Sequence, residues 1–307
     1  MLGRRGVIGA GLAAGLAGVL AGLVLWRRPV AVADTVLPPP GGALRVYHLG
    51  HSLVGRDMPA MLAQLAGHGF ASQLGWGASL RQHWGAEPVP GFEVENDHAD
   101  HLPARQALES GAFDAVVLTE MVEIRDAIRW HDSATYLAHW AQAARAGNPA
   151  VRVYLYETWH RLDDPDGWLE RIDADLERHW EEALRRPAQA RAGAVHLIPA
   201  GQVLAAVVRA AEAGQVPGLT GRADLFARAE GGVDPIHLGD LGAYLVALAH
   251  YAVLYHRSPL GLPHVLRRAD GSPAEALPDA AVPVVQALVW QVVGRHAATG
   301  LAPRPGL

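Results

Sequence analysis

The feature that most constrains this chain is a repeated alternation. A short apolar run of strand length is followed by a turn and then by a stretch with apolar residues at helical spacing. The runs are Leu44–Leu49, Ala71–Leu74, Phe113–Leu118, Val151–Tyr156 and Ala194–Ile198. Between and after them, helical patterns cover Met58–Ala66, Leu102–Ser110, Asp132–Arg145, Asp166–Leu184, Gln202–Ala213, Gly239–Tyr255 and Val282–Val293. Strands that are apolar on both sides of the pleat belong to a sheet covered on both faces. Five of them joined by helical crossovers predict an α/β fold: a three-layer sandwich around a five-stranded parallel sheet. With 307 residues, 50% of them hydrophobic, there is enough apolar material to fill such a core, and no internal repeat competes with it. Residues 84–100 and 214–232, rich in Gly, Pro and charge, read as loops. In sheets of this kind ligands meet the loops at the carboxyl ends of the strands, so those loops are where chemistry is expected.

The amino terminus is a separate object. Arg4 and Arg5 precede an uninterrupted apolar stretch from Gly6 to Trp26, followed by Arg27, Arg28 and Ala31-Val32-Ala33. A positive start, an apolar middle and a small-x-small end describe an export signal. The stretch is also long enough to span a bilayer as a retained anchor, and the paired arginines weakly resemble a twin-arginine signal. Residues 1–33 are therefore expected to be an export signal or N-terminal membrane anchor, residues 34–43 a linker, and residues 44–300 the folded domain. This puts the domain outside the cytoplasm, as a periplasmic or secreted protein or one tethered to the inner membrane. Beyond residue 33 there are 22 basic and 31 acidic residues, a net of −9, and no Lys anywhere. That charge balance argues against a nucleic-acid partner and leaves membrane contact to the N-terminal segment alone. The absence of Cys excludes disulfides, thiol catalysis and Cys-ligated metal centres.

Three loop positions carry candidate chemistry. In Gly50-His51-Ser52-Leu53, immediately after the first run, Ser52 is placed on a tight strand-to-helix turn. There its hydroxyl can stand above the sheet edge and its N–H can receive a developing oxyanion. A serine after a strand is also an ordinary turn residue, and with Val54 two positions on this is not a Gly-x-Ser-x-Gly elbow. In Asp234-Pro235-Ile236-His237, one loop can supply both a base for a weak hydroxyl nucleophile and the acid that orients it; the alternative is an Asp-Pro turn before a helix. In Gly75-Trp76-Gly77, glycine lets a backbone N–H approach a ligand oxygen closely, or simply ends a strand. Glu157-Thr158-Trp159-His160 follows the fourth run on the same sheet edge, with Trp159 a candidate wall for stacking a sugar or a packing residue. Asp97, His98, Asp100 and His101 lie close in sequence without metal-ligand spacing, so no metal site is expected, nor any cofactor.

The order Ser, Gly and Asp-x-x-His along one domain resembles the SGNH (GDSL-type) esterase and lipase superfamily, in particular its bacterial branch with a Gly-Asn-Ser-Leu first block. The resemblance runs from about Arg45 to Tyr255. It implies a flavodoxin-like SGNH hydrolase fold, a nucleophile at Ser52, a base at His237, an orienting acid at Asp234, and oxyanion donors from the Ser52 and Gly77 backbones. Two positions depart from the family pattern. His51 replaces the usual Asn or Asp, and no Asn follows the third strand. That strand ends Val117-Leu118-Thr119-Glu120, and the chain's two Asn are Asn96 and Asn148. Glu120 is thus either an altered site residue or the cap of the next turn. The function implied is a serine esterase acting on a small-acyl ester, with an O-acetylated carbohydrate favoured by the family and by the nine Trp. An O-acyltransferase on envelope glycans and a catalytically weakened carbohydrate-binding protein are the alternatives.

Overall fold

Five strands carry the alternation into three dimensions: β1 (Arg45–Leu49), β2 (Gly69–Gln73), β3 (Ala115–Leu118), β4 (Arg152–Glu157) and β5 (His196–Pro199). The computed structural model describes residues 33–303, so the expected export or anchor segment lies outside the described residues, apart from its last residue. The strands form one parallel sheet in the order β2-β1-β3-β4-β5. Successive side chains along each strand enter opposite cores. Val46, Val117, Tyr154, Tyr156 and Ile198 face one cluster, and Tyr47, Leu49, Val116, Leu155 and Leu197 face the other. This explains why the runs read as continuous apolar stretches rather than alternating ones.

The helices follow as α1 (Asp57–Ala66), α2 (Leu80–His83), α3 (Phe92–Glu95), α4 (Ala104–Glu109), α5 (Ile124–Trp130), α6 (Ser133–Gly147), α7 (Trp168–Asp175), α8 (Arg186–Ala192), α9 (Ala200–Glu212), α10 (Asp240–Tyr255) and α11 (Val282–Arg295). Helices α1, α9, α10 and α11 cover one face of the sheet, and α4, α6 and α8 the other. The three-layer α/β sandwich expected from the sequence is the fold observed.

Several local expectations change. The stretch 84–100 contains the single turn α3, and α5 precedes the expected helix at 132. Between α7 and α8 the expected long helix widens into a π-helix, Leu176–Arg185. The buried Arg185 binds Gln189, the Val195 carbonyl and Asp34 across it, at 3.0, 2.9 and 2.7 Å. Residues 34–43, expected as a linker, are tied to the domain. Besides the Asp34 pair, Leu37 N–H donates to Gly300 O at 2.8 Å and Arg152 Nη2 to Pro38 O at 2.8 Å. The expected loop at 214–232 ends in a strand, β6 (Phe226–Ala229), paired antiparallel with β7 (Gly232–Leu238). Asp234 and His237 therefore lie on a strand of a hairpin, not in a loop. Among the described residues no helix is long and apolar enough to cross a membrane.

Candidate active site

The order β2-β1-β3 reverses direction at β1, which makes the gap between β1 and β3 the natural crevice of the sheet. The ladder continues past the strand ends: Thr119 N–H reaches Leu49 O at 2.9 Å, Gly50 N–H reaches Gln73 O at 3.1 Å, and Gly75 N–H reaches Gly50 O at 3.1 Å. Position 50 must be glycine, because a Cβ there would stand 2.7 Å from Thr119 Cβ and 2.9 Å from a Val54 methyl. Ser52 follows in a turn closed by Val54 N–H on His51 O at 2.9 Å. Helix α1 begins only at Asp57, so Ser52 stands on the turn itself and not on the first residues of the helix.

Two buried imidazoles grip this turn. His51 Nε2–H donates to Glu120 O at 2.7 Å, and its Nδ1 accepts from Leu53 N–H at 3.3 Å. His83 Nε2–H donates to Gly50 O at 2.7 Å, and its Nδ1 accepts from Gln73 Nε2 at 2.9 Å. These tautomers are the ones the acceptors require. Burial pushes both rings down to about 4, so both are neutral at ordinary pH.

From the other side comes β7. His237 Nε2 lies 3.1 Å from Ser52 Oγ, and its Nδ1–H donates to Asp234 Oδ2 at 3.0 Å. Asp234 Oδ1 accepts from the Ile236 and His237 N–H groups, both at 2.8 Å. Burial alone would raise the Asp234 carboxyl, but these hydrogen bonds hold it below the usual range, so it is ionised. The strand is pinned to the loop after β4: Trp159 Nε1–H donates to Ile236 O at 2.7 Å and Leu162 N–H to Pro235 O at 2.7 Å. Ser52, His237 and Asp234 thus form one continuous hydrogen-bonded chain across 185 positions of sequence.

Gly77 adopts the left-handed region, φ +56°, which favours glycine. Among the described residues neither the Ser52 nor the Gly77 backbone N–H donates to a protein acceptor, and both residues line one cleft. Ser52 and His237 stand between two cavities. One, of about 190 Å³, is walled by Leu53, Val54, Met58, Trp159, Ala243 and Val246. The other, of about 640 Å³, is walled by Trp76, Gly77, Glu95, Val122, Arg161 and Ile236.

The remaining sequence candidates have other roles. Glu120 is fully buried and lines neither cavity. Its Oε1 accepts from Met121 N–H at 2.8 Å and Leu80 N–H at 3.2 Å, which makes it a cap of the following turn and of α2. Burial raises its carboxyl to about 7, against the opposing hydrogen bonds from Met121 and Leu80. Trp159 is 1% exposed and cannot offer a face to a sugar; it touches the smaller cavity and holds the His237 strand. Asn96 is spent on Leu74 and Phe92, and Asn148 on Phe113 and Ala150. Sequence reasoning missed His83 as a grip on the Ser52 turn. It also missed Trp76 as the exposed aromatic, whose signal was a Trp between two glycines at a strand end.

No family model matches the chain, and no curated protein matches it. Among solved structures, the chain is similar to a protein described as a GDSL-like lipase from Parabacteroides merdae, at 12% identity and TM-score 0.44, over 72% of this chain and 98% of that one. It is also similar to a phospholipase A1 from Streptomyces albidoflavus, at 15% identity and TM-score 0.36, over 67% and 98%. A third is a carbohydrate esterase family 2 enzyme with a carbohydrate-binding domain from Corynascus thermopiles (Myceliophthora fergusii), at 12% identity and TM-score 0.30, over 53% and 57%. At such identities and TM-scores the likeness says nothing of chemistry, and the functional reading rests on the geometry of the site.

Proposed function

We propose that this chain is a serine ester hydrolase of the SGNH type that works through an acyl-Ser52 intermediate. The observation that carries the reading is the Ser52 Oγ–His237 Nε2 contact of 3.1 Å, backed by Asp234 on the far ring nitrogen. Ser52 Oγ attacks the ester carbonyl carbon while His237 Nε2 takes its proton. Asp234 stays ionised, keeps the proton on Nδ1 and so leaves Nε2 free to accept; it also stabilises the imidazolium that forms. The negative charge on the former carbonyl oxygen falls to the Ser52 and Gly77 N–H groups, which have no protein acceptor to give up. As the tetrahedral adduct collapses, the imidazolium protonates the departing alkoxide. Water then enters; its oxygen bonds the acyl carbon as its proton passes to His237, and collapse of this second adduct breaks the bond to Ser52 Oγ, which takes the proton back from His237 as the acid leaves.

The unequal cavities support a division of the substrate, with a small acyl group in the narrower one and the alcohol in the wider. With two backbone donors and no Asn side chain, the oxyanion has one donor fewer than the family pattern implies, which lowers the expected rate without removing the mechanism.

Ser52→Ala tests the reading. Cleavage of p-nitrophenyl acetate should fall by about 10⁴-fold or more, and an activated fluorophosphonate should label Ser52 in the unaltered protein. Full cleavage by the variant, or labelling elsewhere, would overturn it.

A further inference from the structure

Trp76 is held in the open. It is 55% exposed, an expensive place for the largest apolar side chain, yet three contacts fix it there. Its backbone N–H donates to Pro90 O at 2.7 Å. Its indole Nε1–H donates to Glu95 Oε1 at 2.8 Å. The ring lies on Gly91, where a Cβ would come within 2.3 to 2.5 Å of three ring atoms and where φ is +66°. Only glycine suits that position twice over, by conformation and by space. One part of the indole is thus backed by main chain while the residue as a whole stays half in solvent. It forms a wall of the same 640 Å³ cleft that Ser52, Gly77 and His237 line.

An aromatic ring locked in rotation, backed on one side and open to the cleft beside a nucleophile, is a stacking platform. Its complement is a flat, partly apolar ring. The polar side chains of the cleft say which kind. Among the described residues no donor reaches the second Glu95 carboxylate oxygen, and Arg161, paired at 2.8 Å with Asp163, lines the same cleft. A ring bearing hydroxyl groups satisfies both, whereas an aryl ring satisfies neither.

We propose that Trp76 is the platform for the alcohol half of the substrate and that the substrate class is an acyl ester of a pyranose sugar. The inference rests on the acyl-Ser52 reading and names its substrate. Glycine at 91 and the carboxylate at 95 are positioning residues for the ring.

The experiment compares three acetates: an O-acetylated methyl glucopyranoside, ethyl acetate and phenyl acetate. For Trp76→Ala, the loss in kcat/KM on the sugar ester should exceed the loss on ethyl acetate by about tenfold and reside in KM. Trp76→Phe, which keeps a face, should recover much of that difference. Free methyl glucopyranoside should inhibit the unaltered protein competitively and lose potency with Trp76→Ala. Equal losses on the sugar ester and ethyl acetate would overturn the proposal, as would a selective loss on phenyl acetate alone. Fluorophosphonate labelling of Ser52 in the unaltered protein reports on the acyl-serine reading separately, so the two failures are distinguishable.

Discussion

Ser52 and His237 meet from unlike mountings. The serine turn grows out of the central strand of the sheet, and its backbone is gripped on both sides by buried, neutral imidazoles from His51 and His83. The imidazole stands on a two-stranded hairpin outside the sheet, with its side chain 45% exposed. The hairpin buries Phe226 and Ile236 in the core and is otherwise fixed by its own ladder, by Trp159 and Leu162 on its backbone, and by Gly239 N–H on Leu225 O at 2.9 Å. The Ser52 hydroxyl is therefore placed by the core of the domain, and the His237 imidazole by a small module laid against it. Disturbing the first should cost stability and activity together, whereas removing the exposed His237 ring from the second should cost activity with little stability.

The largest effect expected is on the hairpin side. His237→Ala removes the proton acceptor, and kcat should fall by about 10⁴-fold, equivalent to about 5.5 kcal/mol of barrier. Because the ring is so exposed, the melting temperature should change little, as for other surface substitutions. Turnover and thermal unfolding measured on the same preparation check the comparison. A large fall in melting temperature would show that the hairpin is part of the cooperative core after all.

The Ser52 side should reveal itself through pH. His83 is pushed from its ordinary value to about 4 in the folded protein, with burial the leading cause. When the folded state binds the proton less readily than the unfolded chain, stability is complete above the unfolded value near 6.5 and is lost as pH falls from there toward 4 and below. Glu120 and Glu157 act with the opposite sign. Burial raises them to about 7 and about 8, so their contribution is complete below the ordinary carboxyl range and is lost as pH rises through those values. Subtracting a single-residue variant isolates the imidazole. His83→Gln keeps a donor for Gly50 O and has nothing to protonate. Between pH 6 and 4.5 its stability curve should be flatter than that of the unaltered protein by about 1.4 kcal/mol per pH unit. Denaturant unfolding across that range measures the slope, and parallel curves would mean that His83 titrates normally.

The same contrast explains what was legible in the sequence. The core side was largely readable. Val46–Leu49, Val116–Leu118 and Val153–Tyr156 are apolar on both faces because they are buried on both, and the glycine after β1 marks where the chain must pass against Thr119. Where side chains are weak the edges drift, so β2 starts at Gly69 and not at Ala71. The hairpin was not readable as a strand. Pro235 removes a ladder donor and the Gly231-Gly232 pair reads as a turn, yet a lone two-stranded ribbon leaves an outer edge where proline is tolerated. Nor does strand alternation put residues three apart on one side. Asp234 and His237 meet because the Asp234 carboxylate caps the two following N–H groups and bends the chain locally. The Asp-x-x-His spacing was a sign of that local bend. Tryptophan placement shows the limit of composition. Trp159 and Trp76 each follow a strand, and only the partners that tertiary structure supplies, Ile236 O for one and Gly91 for the other, decide which is buried and which is exposed.

The smallest effect expected is the most discriminating test of the hairpin's mounting. Trp159 does two things: it fills space beside the smaller cavity, and its indole N–H holds Ile236 O, one residue from His237. Trp159→Phe keeps an aromatic ring but drops that donor, leaving the carbonyl unpaired in a buried setting. The lost bond is worth about 1 kcal/mol, and the melting temperature should fall by a few degrees. If the bond also sets where the imidazole sits, kcat should fall by a further tenfold or so while KM stays nearly constant, since an angular drift of His237 spoils proton transfer more than substrate contact. The pH profile of kcat should keep its shape, because no titrating group has changed. If kcat holds and only stability falls, Leu162 and the β6 ladder suffice to place the base, and Trp159 is a packing residue. The two outcomes separate on the ratio of the kcat loss to the stability loss, both as free energies, which is above one for a positioning contact and near zero for a purely structural one.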